Sequence, residues 1–132
     1  MSQLSKLSFL SLRKFFFSPE LDDPEVNPNY ADDNRYEVAD LNSANLISSE
    51  LAYASLKGDH MPVLDIDYDA HLEPSSTPGH FHLYLNRTIT WEQYKKLLDV
   101  MGEIGLLEPG FVKLSKERGA SYVRKPGHKK VR

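Results

Sequence analysis

The stretch VLDIDYDAHLEPSSTPGHFHLYL, residues 63–85, organises the chain. It holds two short apolar runs with polar side chains at every second position, joined by a turn-rich segment. Successive side chains of an extended backbone point to opposite faces, so Asp65 and Asp67 share one face while Leu64, Ile66 and Tyr68 share the other. In the second run His80, His82 and Tyr84 alternate with Phe81, Leu83 and Leu85. If the two runs pair as neighbouring strands over one core, both carboxylates and both imidazoles reach the same open face. That is the layout of a metal or phosphate site.

A half-exposed sheet alternates apolar and polar residues for solubility alone, and Asp is a poor strand former. The identity of the polar residues carries the functional reading. Asp-x-Asp in a strand sets two like charges about 7 Å apart at a rise of about 3.3 Å per residue. A cation between or beside them relieves that repulsion.

The chain has 132 residues, enough for one self-supporting domain, and no cysteine, which excludes a disulfide framework and a cysteine zinc finger and fits an intracellular chain. Its net charge of -3 hides an uneven distribution. Between Phe111 and Arg132 the basic residues Lys113, Lys116, Arg118, Arg124, Lys125, Lys129, Lys130 and Arg132 face a single acid, Glu117, whereas residues 20–50 are acidic. A basic end on an acidic chain points to an anionic partner, such as nucleic acid or a nucleotide phosphate.

Residues 1–17 form an apolar and basic extension. Lys6, Arg13 and Lys14 interrupt its apolar residues, so it makes neither a signal-peptide core nor a membrane span, and it is expected to dock on the domain or a partner. Residues 18–34, with three prolines and clustered Asp and Asn, read as a linker. An α+β domain is expected over residues 35–126 and a basic tail over 127–132. Within that domain RYEVADL alternates as a strand, and Ser43 or Asn45 could cap a short helix running through Leu51. Thr90 and Gln93 make a capping-box pattern ahead of Trp91, Tyr94, Leu97, Leu98, Met101 and Ile104 at helical spacing, with Gly105 as the stop. This helix is expected to cover Leu64, Ile66, Phe81 and Leu83. FVKLSKERG reads as a short helix closed by Gly119, with a strand as the alternative, and ASYVRKPG as a last strand.

The segment Glu73-Pro74-Ser75-Ser76-Thr77-Pro78-Gly79 offers hydroxyls and accessible backbone amides beside the histidines, a combination suited to phosphate. Asp65-x-Asp67, the Ser/Thr-Gly segment, His82-Leu83-Tyr84-Leu85 and the later Val123-Arg124-Lys125-Pro126-Gly127 together resemble the motif order of archaeo-eukaryotic-type primase-polymerases. The resemblance implies Asp65 and Asp67 as ligands of Mg²⁺ or Mn²⁺. It implies His82, with Ser76 or Thr77 nearby, at the triphosphate, and Arg124 as a further phosphate or template contact. Asp65, Asp67 and His82 would then be the catalytic set of a nucleotidyltransferase-like enzyme, with His80 an additional phosphate contact. For the later acid of the pattern, Asp99, Glu103, Glu108 and Glu117 are the candidates. The STPGHFHLYL region also resembles small proteins of actinobacterial phages over roughly residues 33–130, which implies a cytoplasmic site of action in an infected bacterial host.

Other chemistries are weighed by their spacing. His80 and His82 with one carboxylate would suit zinc or iron. No Walker loop, nucleophile elbow or dinucleotide-binding glycine motif occurs. The expectation is therefore a single α+β domain, a small mostly antiparallel sheet with helices on one face, like an RNA-recognition or primase-palm fold. Its expected function is metal-dependent binding or processing of nucleotides or nucleic acid. The alternative is a non-enzymatic phage protein that binds a host protein.

Overall fold

The computed structural model describes residues 9–25, 34–54 and 58–128. The chain divides into two compact units, Met1–Asp65 and Ile66–Arg132. The α+β class holds, but two small antiparallel sheets replace the expected single one. The expectations for residues 1–8, 26–33 and 129–132, including the basic residues Lys129, Lys130 and Arg132, lie outside the described residues.

In the first unit the aromatic run RKFFF becomes β1, Arg13–Phe17, as β-propensity favours. It is the central strand of a sheet ordered β2-β1-β3, between β2, Tyr36–Val38, and β3, Leu46–Leu51. Phe17 faces Tyr36 across the first ladder, their rings 5.8 Å apart. The second ladder pairs Phe15 with Ile47 and Arg13 with Leu51, with a register shift between them. Residues 13–17, read as part of an extension, are thus built into a sheet with residues 36–51.

The helix expected to run through Leu51 is instead β3. Asn45 does not cap it. Its side-chain carbonyl accepts from the Ser18 amide at 2.8 Å, and its amide donates to the Ser18 carbonyl at 2.8 Å. Ser18 is fully buried at this clamp, which ends β1. The local cap is Asp40, whose carboxylate accepts from the Ser43 amide at 3.1 Å and closes a 3-10 turn over Leu41–Ser43. With the cap spent there, Ile47 and the serines at 48 and 49, weak helix formers, take the ladder instead.

The second unit opens with a hairpin of β4, Ala70–Pro74, and β5, Phe81–Leu85. The expected first strand lies six residues later than read. Asp65, Asp67 and Asp69 disfavour a ladder, and residues 61–69 are irregular apart from a bend. At the tip, the His80 amide donates to the Thr77 carbonyl at 3.1 Å across Pro78 and Gly79, whose φ is +79°. Proline second and a positive-φ glycine third make this a type II turn.

The expected capping box is present. The Thr90 hydroxyl accepts from the Gln93 amide at 3.1 Å and the Gln93 side chain accepts from the Thr90 amide at 2.9 Å, opening α1, Trp91–Glu103. A second helix, α2, Pro109–Arg118, ends at Gly119, whose φ of +74° forms the left-handed cap. Leu98 of α1 is 2 % exposed and is the buried apolar centre of this unit. The two helices come close at Gly102, where an added methyl would lie 3.1 Å from Val112 Cγ2. Lys116 and Asp99 bridge them at 2.9 Å.

Two expectations fail here. The predicted apolar face is not buried, since Leu64, Ile66, Phe81 and Leu83 are each at least half exposed. ASYVRKPG forms no strand and leaves α2 as an irregular segment. Among the described residues no helix is long and apolar enough to cross a membrane.

Candidate functional site

The hairpin register decides which side chains share a face. Glu73 stands opposite His82 and His71 opposite Tyr84, so these four share one face, while Leu72, Leu83, Phe81 and Leu85 occupy the other. His71 Nε2 meets Glu73 Oε2 at 2.5 Å, and the His71 and Tyr84 rings lie 6.4 Å apart. His71 and Glu73 were absent from the sequence-based site. The alternation of His71, Leu72 and Glu73 after the aspartates is the signal that could have placed them.

His82 is on the strand face as expected. His80 is not a strand residue. Its backbone closes the turn, the amide on Thr77 and the carbonyl accepting from the Ser75 amide at 2.9 Å. The Ser75 hydroxyl is consumed locally, donating to the Thr77 carbonyl at 3.2 Å and accepting from the Thr77 amide at 3.1 Å. Ser76 and Thr77 are exposed, and their hydroxyls make no hydrogen bond among the described residues. What this turn offers a phosphate is therefore the hydroxyls of Ser76 and Thr77 and the exposed residue His80, while the amides of Ser75, Thr77 and His80 are engaged within the turn.

Asp65 and Asp67 are exposed and lie outside any strand, and the division between the units falls between them. Their common sheet face, the premise of the metal reading, is not formed. Among the described residues no three His, Asp or Glu side chains are grouped to hold a metal ion.

Arg124 lies in the exposed segment after Gly119, and its base is fixed by hydroxyls. Tyr94 of α1 donates to the Ser121 hydroxyl at 2.7 Å, and Ser121 donates to the Ser115 hydroxyl at 2.8 Å. Ser115 is buried, so the chain is tied to both helices just before it emerges. Beyond the tie Tyr122 is 67 % exposed, and Arg124 and Lys125 are exposed with no ion pair among the described residues.

Charge divides with the units. Residues 66–132 carry eleven Lys and Arg against eight Asp and Glu, a net of +3, while residues 1–65 carry five against eleven, a net of -6. The excess of the second unit comes from Lys129, Lys130 and Arg132, outside the described residues; residues 66–128 carry eight Lys and Arg against eight Asp and Glu. Comparison with family models, with curated proteins and with solved structures yields no match.

Proposed function

We propose that the protein binds the phosphates of nucleotides or nucleic acid through its second unit. The observation that carries this reading is the pair Arg124 and Lys125, exposed, unpaired among the described residues, and held on a segment anchored by Ser121. An arginine free of carboxylates can meet phosphate with two parallel hydrogen bonds, and a free lysine adds a point charge. Ser76, Thr77 and His80 supply a second group of phosphate-compatible side chains in the same unit.

The kinship with a reduced primase-polymerase palm rests on motif order alone. Metal-assisted transfer would require Asp65, Asp67 and His82 to converge with Mg²⁺ or Mn²⁺, because two-metal chemistry needs carboxylates that hold both ions. Binding is the part of that activity that the described geometry supports.

Fluorescence anisotropy of labelled ATP and a labelled oligonucleotide, with and without Mg²⁺ or Mn²⁺, tests the proposal. Binding that weakens at least fivefold in Arg124→Ala/Lys125→Ala is expected, by the roughly 1 kcal/mol or more of a charge-assisted contact. Equal affinity of variant and wild type, or none in either, would remove the reading. The metal-dependent form has its own arm, in which Mn²⁺ strengthens ATP binding by wild type but not by Asp65→Ala/Asp67→Ala.

A second reading, a protein that acts by holding a polypeptide such as a host protein, draws on the other hairpin face. Leu72, Phe81, Leu83 and Leu85 are 50–59 % exposed there, a contiguous apolar surface of the kind found at protein contacts. Leu83→Asp would abolish capture of such a partner and leave phosphate binding intact, whereas the arginine and lysine variant would do the reverse.

A further inference from the structure

We infer that the nucleic acid taken by the second unit is single-stranded, with one base stacked on Tyr122 while Arg124 and Lys125 hold the adjoining phosphates. This rests on the phosphate-binding reading above and adds the class of ligand. Three observations meet at this segment. Tyr122 is 67 % exposed, so its ring is neither core nor packed on the helices. The neighbouring Ser121 is fixed by hydrogen bonds of 2.7 and 2.8 Å to Tyr94 and the buried Ser115, so the ring projects from a tethered backbone. Two residues on, Arg124 is exposed, and Lys125 follows it.

An aromatic face next to cations unpaired among the described residues, on an anchored segment, is the minimal unit of single-strand binding. The ring takes any base, since every base has a π-face, and the cations follow the backbone. Duplex DNA hides its base faces in the stack, so it could use only the cations. Tethering lowers the ordering cost that a free loop would pay on binding. Tyr68, 52 % exposed, differs in already carrying the Arg87 guanidinium 4.8 Å from its ring centre.

The test compares three labelled probes of equal length on the full chain: oligo-dT, an abasic strand with the same phosphates, and a duplex. Wild type is expected to bind oligo-dT at least about fivefold tighter than the abasic strand, the lower end of measured stacking contributions. Tyr122→Ala should erase that difference and Tyr122→Phe should keep it. Arg124→Ala/Lys125→Ala should weaken oligo-dT and the abasic strand alike. Equal binding of oligo-dT and abasic strand by wild type, or a Tyr122→Ala loss that is the same on both, overturns the stacking role while leaving phosphate binding in place. Wild type that binds no probe overturns both.

Discussion

Arg13 shows how one side chain can sit against the grain of its surroundings. It opens the central strand β1, is 8 % exposed, and among the described residues donates one hydrogen bond, from Nη2 to the Pro62 carbonyl at 3.4 Å, while Nε and Nη1 have no hydrogen-bond partner there. The Phe9 ring lies 5.8 Å from the guanidinium and offsets part of the cost. A buried cation so poorly paired costs more in lost hydration than one long hydrogen bond returns. Arg13→Met, which keeps the packed stem, is therefore expected to raise stability by about 1 kcal/mol or more. Thermal unfolding monitored by circular dichroism checks this, and a lower midpoint in the variant would show that the guanidinium is worth more than its visible contacts. From the sequence Arg13 was one of the charges that broke an apolar leader, because periodicity cannot reveal which strand a basic residue will open. At the same scale, His82 was legible because alternation with Phe81, Leu83 and Leu85 fixed both strand and face. The strand expected around Asp65 and Asp67 does not form for the reason that made them attractive, since clustered aspartates suit a metal site and oppose the strand that would build one.

Helix pairing in the second unit turns on Gly102, where α1 and α2 come within reach of each other's side chains. An alanine there gains about 1 kcal/mol of helix propensity over glycine, yet its methyl would meet Val112 Cγ2 at 3.1 Å. Val112 is half-buried and can yield a few tenths of an ångström, so the two effects nearly cancel. Gly102→Ala should fall within about 1 kcal/mol of wild type, while Gly102→Leu should lose about 1–3 kcal/mol by overpacking. Denaturant midpoints of the two variants decide the matter, and a harmless leucine would mean that the helices do not meet there. These helices were also the most legible elements, because the Thr90–Gln93 box and the Gly119 stop are local signals that do not depend on distant partners. Strands β3 and β4 were not. Asn45 carries a cap residue's chemistry but spends it on Ser18, twenty-seven positions away, and no window of sequence contains that pairing. The last expected strand failed similarly. Its alternation is genuine, but Ser121 is satisfied by helix hydroxyls instead of a ladder.

For the molecule as a whole, net charge misleads about partners. A chain at -3 would be expected to avoid polyanions, yet its second unit carries +3, supplied by Lys129, Lys130 and Arg132 just beyond Arg124 and Lys125 in the sequence, and its first -6. At about 0.1 M salt charges are screened beyond roughly 10 Å, so a polyanion at Arg124 and Lys125 responds mainly to the charges near it. The intact protein is accordingly expected to be retained on immobilised heparin at that salt, and to elute later than its overall charge allows. Arg124→Ala/Lys125→Ala should elute at distinctly lower salt, since each phosphate contact removed takes about one unit from the salt dependence of binding. An exposed acidic reversal in the first unit, Glu37→Lys, changes the net charge by the same two units in the opposite direction and serves as the control for total charge. If elution tracks total charge, so that Glu37→Lys strengthens retention as much as the double alanine weakens it, the anion site is diffuse and the assignment to the Ser121 segment is lost.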